Sequence, residues 1–211
     1  MSIQNIIHKR RTLKVLSAEP KPILKTEVSI TDLEEMVTCA GKAPFHYPAN
    51  NEAIEHTELK SLAPWRFYIL DTKTCRDLAK YYIDNNIDGG KIVQMLHTAS
   101  ALIQATWIPE PLDNGKIEFH QKNIEHVAAT SAAIQNLLLV ATEKGYETYW
   151  SSGGTLRENN FKELLNIPTN EQLLGSIFIF SDDNIKNTKQ ITGAWREKQG
   201  SIKDFSSFVT I

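Results

Sequence analysis

Cysteine is scarce in this sequence: Cys39 and Cys75 are the only two among 211 residues. They stand too far apart for a metal or redox motif and are too few for a disulfide framework, so a reducing, cytoplasmic setting is expected. No run of eighteen apolar residues occurs, and Met1 to Lys9 contains no stretch of signal-peptide length, so neither secretion nor a membrane is expected. Charge bias is missing too. With 23 Lys and Arg against 25 Asp and Glu, no global field draws the chain to nucleic acid, and any anion site must be local. The six histidines form no pair at metal-ligand helical spacing, so no metal is expected. A G-x-G-x-x-G pattern is absent, which leaves no support for a Rossmann nicotinamide site. No nucleophile stands with a His and an acid partner, which argues against a hydrolase.

What is present is an ordinary globular composition, 41% hydrophobic and 23% charged, with no internal repeat or low-complexity segment. A chain of this length buries roughly 70% of its unfolded surface, enough for one substantial core, and a single domain over residues 1–211 is expected. Ser2 caps a first helix with Ile3, Ile6 and Ile7 on one face. The capping box Thr31-Asp32-Leu33-Glu34 opens a second, which stops at Gly41. Residues 45–63, flanked and broken by prolines, read as a long loop. Strands are expected over residues 65–70, 101–107, 146–150 and 173–180, the second apolar enough to be buried on both faces. Helices are expected from Thr74 to Tyr82, from Asp88 to about Thr98, from Asn123 to Lys144 and from Arg157 to Asn166, while the tail beyond Asp182 lacks helical periodicity. Ala128, Ala129, Ala132 and Ala133 form a small-residue patch on the longest helix, suited to close helix packing inside the chain or across a dimer. Helices and strands mix without regular alternation, so the fold class is α+β.

Three segments have side chains suited to chemistry. Lys9-Arg10-Arg11-Thr12-Leu13-Lys14 gathers guanidinium forks, a hydroxyl and an ammonium, all phosphate ligands. From spacing alone, a solvated basic helix end is the more frequent reading. Ser61-Leu62-Ala63-Pro64-Trp65-Arg66-Phe67 runs from a loop into a strand. The proline removes one donor and leaves Ser61, Leu62 and Ala63 free to meet a flat ring edge, while Trp65 and Phe67 read as core. Trp150-Ser151-Ser152-Gly153 closes a strand with small residues whose backbone N–H groups can approach a ligand closely, although most such turns are only turns.

In this order the three segments resemble the FMN-dependent nitroreductases, most closely their short, single-domain YdjA-like members. The family's Arg-Arg-Ser element is matched by Arg10, Arg11 and Thr12, and Lys14 stands where some members place a cation near the flavin. Lys42-Ala43-Pro44 looks like its Ala-Pro element, Pro64-Trp65-Arg66-Phe67 like its Pro-Trp-aromatic entry, and Trp150-Ser151-Ser152-Gly153 like its Trp-x-Ser-Gly turn. Phe208-Val209-Thr210 resembles its ending. A family histidine that reaches the flavin is matched by His46, which keeps its distance from Ala43-Pro44, or by His56. The late basic residue is matched by Arg196, with Lys198 nearby and a solvated tail charge as the alternative. The loop over residues 45–63 is longer than in the short members and is expected beside the substrate face.

The resemblance implies a nitroreductase-like fold with a central, mostly antiparallel sheet and FMN at the interface of a homodimer. It also implies hydride transfer from NADH or NADPH to a small acceptor such as a nitroaromatic or quinone, in ping-pong fashion, with flavin N5 carrying the chemistry and no catalytic side chain. The implied cofactor ligands are Arg10, Arg11, Thr12, Lys14, Lys42, His46, Ser61, Leu62, Ala63, Trp150, Ser151, Ser152, Gly153 and Arg196. Two rival readings are a flavin-binding sensor or storage protein without turnover and a cofactor-free interaction domain.

Overall fold

The computed structural model describes residues 2–24, 27–55, 57–111, 116–118 and 120–211. Helix α1 (Ile3–Lys9) starts where the Ser2 hydroxyl accepts the Asn5 N–H, as the sequence predicts. It leads into β1 (Leu13–Leu16), a strand inside the segment read as a ligand cluster. Helix α2 (Ile30–Ala40) begins earlier than its capping box suggests. Ser29, not Thr31, accepts the Asp32 N–H, and the Asp32 carboxylate turns instead to Lys144 and Tyr146.

The loop over residues 45–63 contains a short helix, α3 (Asn51–Glu55), seated by Ala49, Ile54 and Ile108. After β2 (Trp65–Asp71) the cap of α4 (Thr72–Asp84) is Asp71, whose carboxylate accepts the Thr74 N–H at 2.7 Å. Thr74 is therefore the capped residue, not the cap. Helix α5 (Lys91–Leu96) is shorter than expected because Asp88 bonds the Gly90 N–H, and Gly90 takes a positive φ. Then come β3 (Ala101–Trp107), α6 (Gln121–Glu143), β4 (Glu147–Ser151), α7 (Asn159–Leu164) after a 3-10 turn (Gly154–Arg157), β5 (Gln172–Phe180), α8 (Asp182–Ile185) and β6 (Lys189–Thr192). Strands β1 and β6 escape sequence reading because each is four residues long and neither shows clear alternation.

Strands β2, β3, β5 and β4 lie in that order in an antiparallel sheet, and β1 and β6 form a separate antiparallel pair. A parallel bridge between Thr12 and Thr148 joins the pair to the β4 edge. Every residue of β3 is buried, as its apolar sequence predicts. Alternate residues of the sheet serve two cores. Leu70, Leu102, Phe178 and Phe180 pack with residues of α4 and α5, where Tyr82 stacks on Phe161 at 4.6 Å. Ile103, Ala105, Ile177 and Ile179 pack with α2 and α6. Ala129 and Ala133 fall in the second core with Met36 and Ala40, so this part of the alanine patch serves packing within the chain.

Helix α6 is long and apolar enough to cross a membrane by length and composition. Its Ile134, Leu137, Leu138 and Ala141 are buried against the sheet, the arrangement of a core helix. The fold is α+β with a central antiparallel sheet, as the sequence predicts.

Candidate functional site

The basic segment lines a cleft of about 760 Å³ beyond the β4 edge. Residues 8–12 with Lys14, residues 191–197 and Tyr149 line it. The β1–β6 pairing builds this cleft: the Gly193 N–H donates to the Thr12 carbonyl at 2.9 Å, which brings the late part of the chain against the early part. A side chain at Gly193 would press on Thr12, with a Cβ 3.1 Å from the threonine Cβ.

Arg196 completes the cluster. Its guanidinium donates to the His8 carbonyl at 2.8 Å and to the Arg10 carbonyl, groups that the end of α1 leaves without helical partners. Lys198 instead lies over the Trp195 ring. Partial burial, and then the Arg196 charge, hold the Arg10 guanidinium below its ordinary pKa. Two like charges held together in this way favour an anion between or beside them. Lys14 sits over the Tyr149 ring at 4.7 Å, at the same cleft.

Arg11 behaves differently. Its guanidinium grips Glu147 with two nitrogens, at 2.7 and 3.1 Å, and that partner pushes its pKa up. The structure thus ties Arg11, which precedes β1 and lines the cleft, to Glu147 of β4; its sequence position suggested a phosphate ligand. The reason lies in the strand that sequence reading missed, since only the β1 to β4 contact brings Glu147 alongside.

Residues 150–153 continue from the cleft. The Trp150 indole packs against Gly175, where a Cβ would come 2.0 Å from its nitrogen. Gly153 has φ +105° and a Cβ there would strike Leu173 at 2.6 Å, so the turn needs glycine twice over. Its N–H is already taken by the Ser151 hydroxyl at 3.2 Å, and the Ser152 carbonyl accepts from Arg157. Ser152 is exposed, whereas Ser151 and Gly153 are buried.

The remaining candidates gather at the opposite edge, before β2. Lys42 is exposed at the end of α2, and Phe45 meets Trp65 edge-on at 5.4 Å. The exposed His46 stands 3.6 Å from Glu125 of α6, and His56 lies outside the described residues. The backbone of residues 61–65 is largely paired, contrary to the expectation that the loop's groups are free. Arg66 donates to the carbonyls of Ser61 at 2.7 Å, Ala63 at 2.8 Å and Trp65 at 2.7 Å. The Leu62 carbonyl accepts from Ala49 at 2.8 Å, and the Ser61 hydroxyl accepts the Ala63 N–H at 3.1 Å. Ser61 and Leu62 are exposed and Ala63 is buried.

Arg66 itself is 3% exposed. It shares the electrostatic environment of Glu171, whose carboxylate accepts from Tyr68 at 2.8 Å and from Thr106. Burial drives the Glu171 pKa up, against the pull of those hydrogen bonds. Sequence reading quoted Arg66 inside a motif and gave it no role; a lone charge in an otherwise apolar strand was the available signal.

The candidates therefore form two groups in one chain. Strands β2 and β4 are opposite edges of the sheet, three strand spacings or roughly 14 Å apart, and the basic cleft lies beyond β4. Among the described residues no three His, Cys, Asp or Glu side chains cluster as metal ligands.

A family model described as the Nitroreductase family matches residues 7–179, a span that includes both groups except Arg196. The chain belongs to the nitroreductase family. The match is to the family at large and does not select the short YdjA-like subgroup. Among solved structures, a nitroreductase-like family protein from Bacillus cereus is similar at 22% identity and TM-score 0.61, covering 96% of this chain and 97% of that one. A BluB-like flavoprotein from Clostridium difficile 630 aligns over 100% of both chains at 15% identity and TM-score 0.60. A nitroreductase with bound FMN from Bacteroides fragilis covers 85% of this chain and 88% of its own, at 16% identity and TM-score 0.51. At these identities the likeness is one of fold. No curated protein matches the sequence.

Proposed function

We propose that this nitroreductase family member is an FMN-dependent oxidoreductase that takes hydride from NADH or NADPH and passes it to a small acceptor such as a nitroaromatic or quinone. The observation that carries the reading is the cleft in which Arg10, Lys14 and Arg196 converge beside Tyr149 of β4. The donor set fits FMN: guanidinium and ammonium groups for a phosphate, and the Tyr149 and Trp195 side chains in the lining for a flat ring. Bound FMN would supply the hydride acceptor and donor in one group, so no protein acid or base is required.

The chain's own residues bind and tune. Arg10 and Arg196 hold the phosphate end, and Lys14 places positive charge where an anionic reduced ring is stabilised. The donor and acceptor use one cleft in turn, which is ping-pong behaviour. Lys42, His46 and residues 61–63 lie at the opposite edge of the sheet from the cleft. They complete the site when supplied by a second copy, so the working unit is a homodimer. The cytoplasm, with its nicotinamide pool, is the setting.

The test is to purify the protein, record its visible spectrum with added FMN, and mix it anaerobically with NADH and with NADPH. A flavin spectrum that bleaches with either donor and recovers on adding menadione is expected. Bound flavin that neither donor bleaches would replace the reductase with a binding protein, and failure to bind FMN would remove both.

A further inference from the structure

In the loop before β2, a buried side chain sets the direction of one outward backbone donor. All peptide bonds described are trans, so the carbonyl and N–H of each peptide point in opposite directions. The Ser61 carbonyl and the Leu62 N–H share one peptide. Because Arg66 draws that carbonyl inward at 2.7 Å, the Leu62 N–H faces out, where its side chain is 55% exposed. The groups that follow are spent: the next peptide gives its carbonyl to Ala49 and its N–H to Ser61, the Ala63 carbonyl goes to Arg66, and the Pro64 carbonyl accepts from Ile108. Among the described residues, the Leu62 N–H has no partner.

We propose that Arg66 is a positioning residue for this site: by holding the carbonyls of Ser61, Ala63 and Trp65 it presents the Leu62 N–H as a fixed donor to an acceptor atom of the flavin ring. The inference rests on the flavin reading above. Only arginine has a planar fork able to address three carbonyls at once; lysine, with one compact ammonium, cannot span them. An apolar residue would fill the space at lower desolvation cost and would leave the three carbonyls unheld. The nearby Glu171 carboxylate offsets the buried charge without touching the loop, so the guanidinium stays free for the carbonyls.

Two measurements decide it, both with FMN itself as the probe. In the wild-type protein, amide hydrogen exchange at Leu62 should slow at least tenfold when FMN is added. Unchanged exchange at Leu62 in flavin-loaded protein overturns the proposal and leaves the flavin reading intact. Arg66→Lys should raise the FMN Kd about tenfold, speed exchange at Leu62 in the FMN-free protein, and move the bound flavin spectrum toward that of free FMN. A variant that binds FMN within twofold of wild type and with the same spectrum, whatever its melting temperature, shows a purely structural arginine and overturns the proposal. If Arg66→Lys does not fold, the wild-type exchange result decides alone. If the wild-type protein binds no FMN, both this inference and the flavin reading fall.

Discussion

At the β4 edge the cations line an open cleft, while at the β2 edge the one arginine is sealed inside and bonded to backbone. Arg10, Lys14 and Arg196 line a space of about 760 Å³, and Arg66 donates through its two terminal nitrogens to the Ser61, Ala63 and Trp65 carbonyls. The first arrangement supplies charge to something that arrives. The second fixes geometry in advance, which is the condition for a backbone donor to act without reorganising. A site for a flat anionic cofactor needs both, and this chain keeps them on opposite sides of its sheet.

The comparison breaks most sharply if charge at the β4 edge is removed. Arg10→Ala combined with Arg196→Ala should weaken FMN binding about 100-fold, close to 2.7 kcal/mol, in a fluorescence-quenching titration. The loss should shrink as salt rises, because partly exposed charges are screened. Equal affinity would move the phosphate elsewhere. A second substitution attacks the same edge through shape: Gly175→Ala drives a methyl into the Trp150 indole and should cost about 1–3 kcal/mol in denaturant unfolding. It should also shift tryptophan emission, while leaving amide exchange at Leu62 untouched if the two edges are independent.

A smaller effect sharpens the division within the basic cluster. Arg11 is committed to Glu147, so Arg11→Met should cost FMN affinity at least several-fold less than Arg10→Met. Stability should fall by no more than about 1 kcal/mol, as for an exposed pair. The smallest effect concerns the brace between the edges. Asp32 of α2 accepts from Lys144 and Tyr146, which lie at the entry to β4, and the Lys144 and then the Tyr146 hydrogen bonds hold its carboxyl below the ordinary value of 3.8. A depressed carboxylate stabilises the fold above that value, and the contribution is lost as the pH falls through the folded-state pKa. Asp32→Asn should therefore destabilise by under about 1 kcal/mol at pH 7, and the gap to wild type should close below pH 3.8 in acid unfolding curves.

Much of the fold was legible because its longer elements combine strong pattern with punctuation. The apolar run of β3, the stop at Gly41 and the left-handed Gly145 after α6 all fall where the sequence places them. Strands β1 and β6 were not legible. They are held by long-range pairing and by tertiary bonds such as the Thr98 hydroxyl to the Val15 carbonyl, which local pattern does not encode. The same blindness explains Arg11, whose partner is 136 residues away. Arg196 was named from its late position in the family pattern; what holds it at the cleft, the carbonyls at the end of α1, is a tertiary contact that the sequence does not show. The caps of α2 and α4 shifted because Ser29 and Asp71 were available just upstream of the residues first chosen. Arg66 was visible in the sequence, but nothing there shows three carbonyls turned toward it.

In the proposed homodimer one working site joins the β4 edge of one copy to the β2 edge of another. Mixing two inactive variants tests it directly: Arg10→Ala with Arg196→Ala in one, and a β2-edge block such as Leu62→Glu in the other. After the two are refolded together, a mixed dimer contains one site with both lesions and one site with none, so FMN binding and NAD(P)H-dependent reduction should return. Mixtures that stay as inactive as either parent, despite forming mixed dimers, would contradict the account.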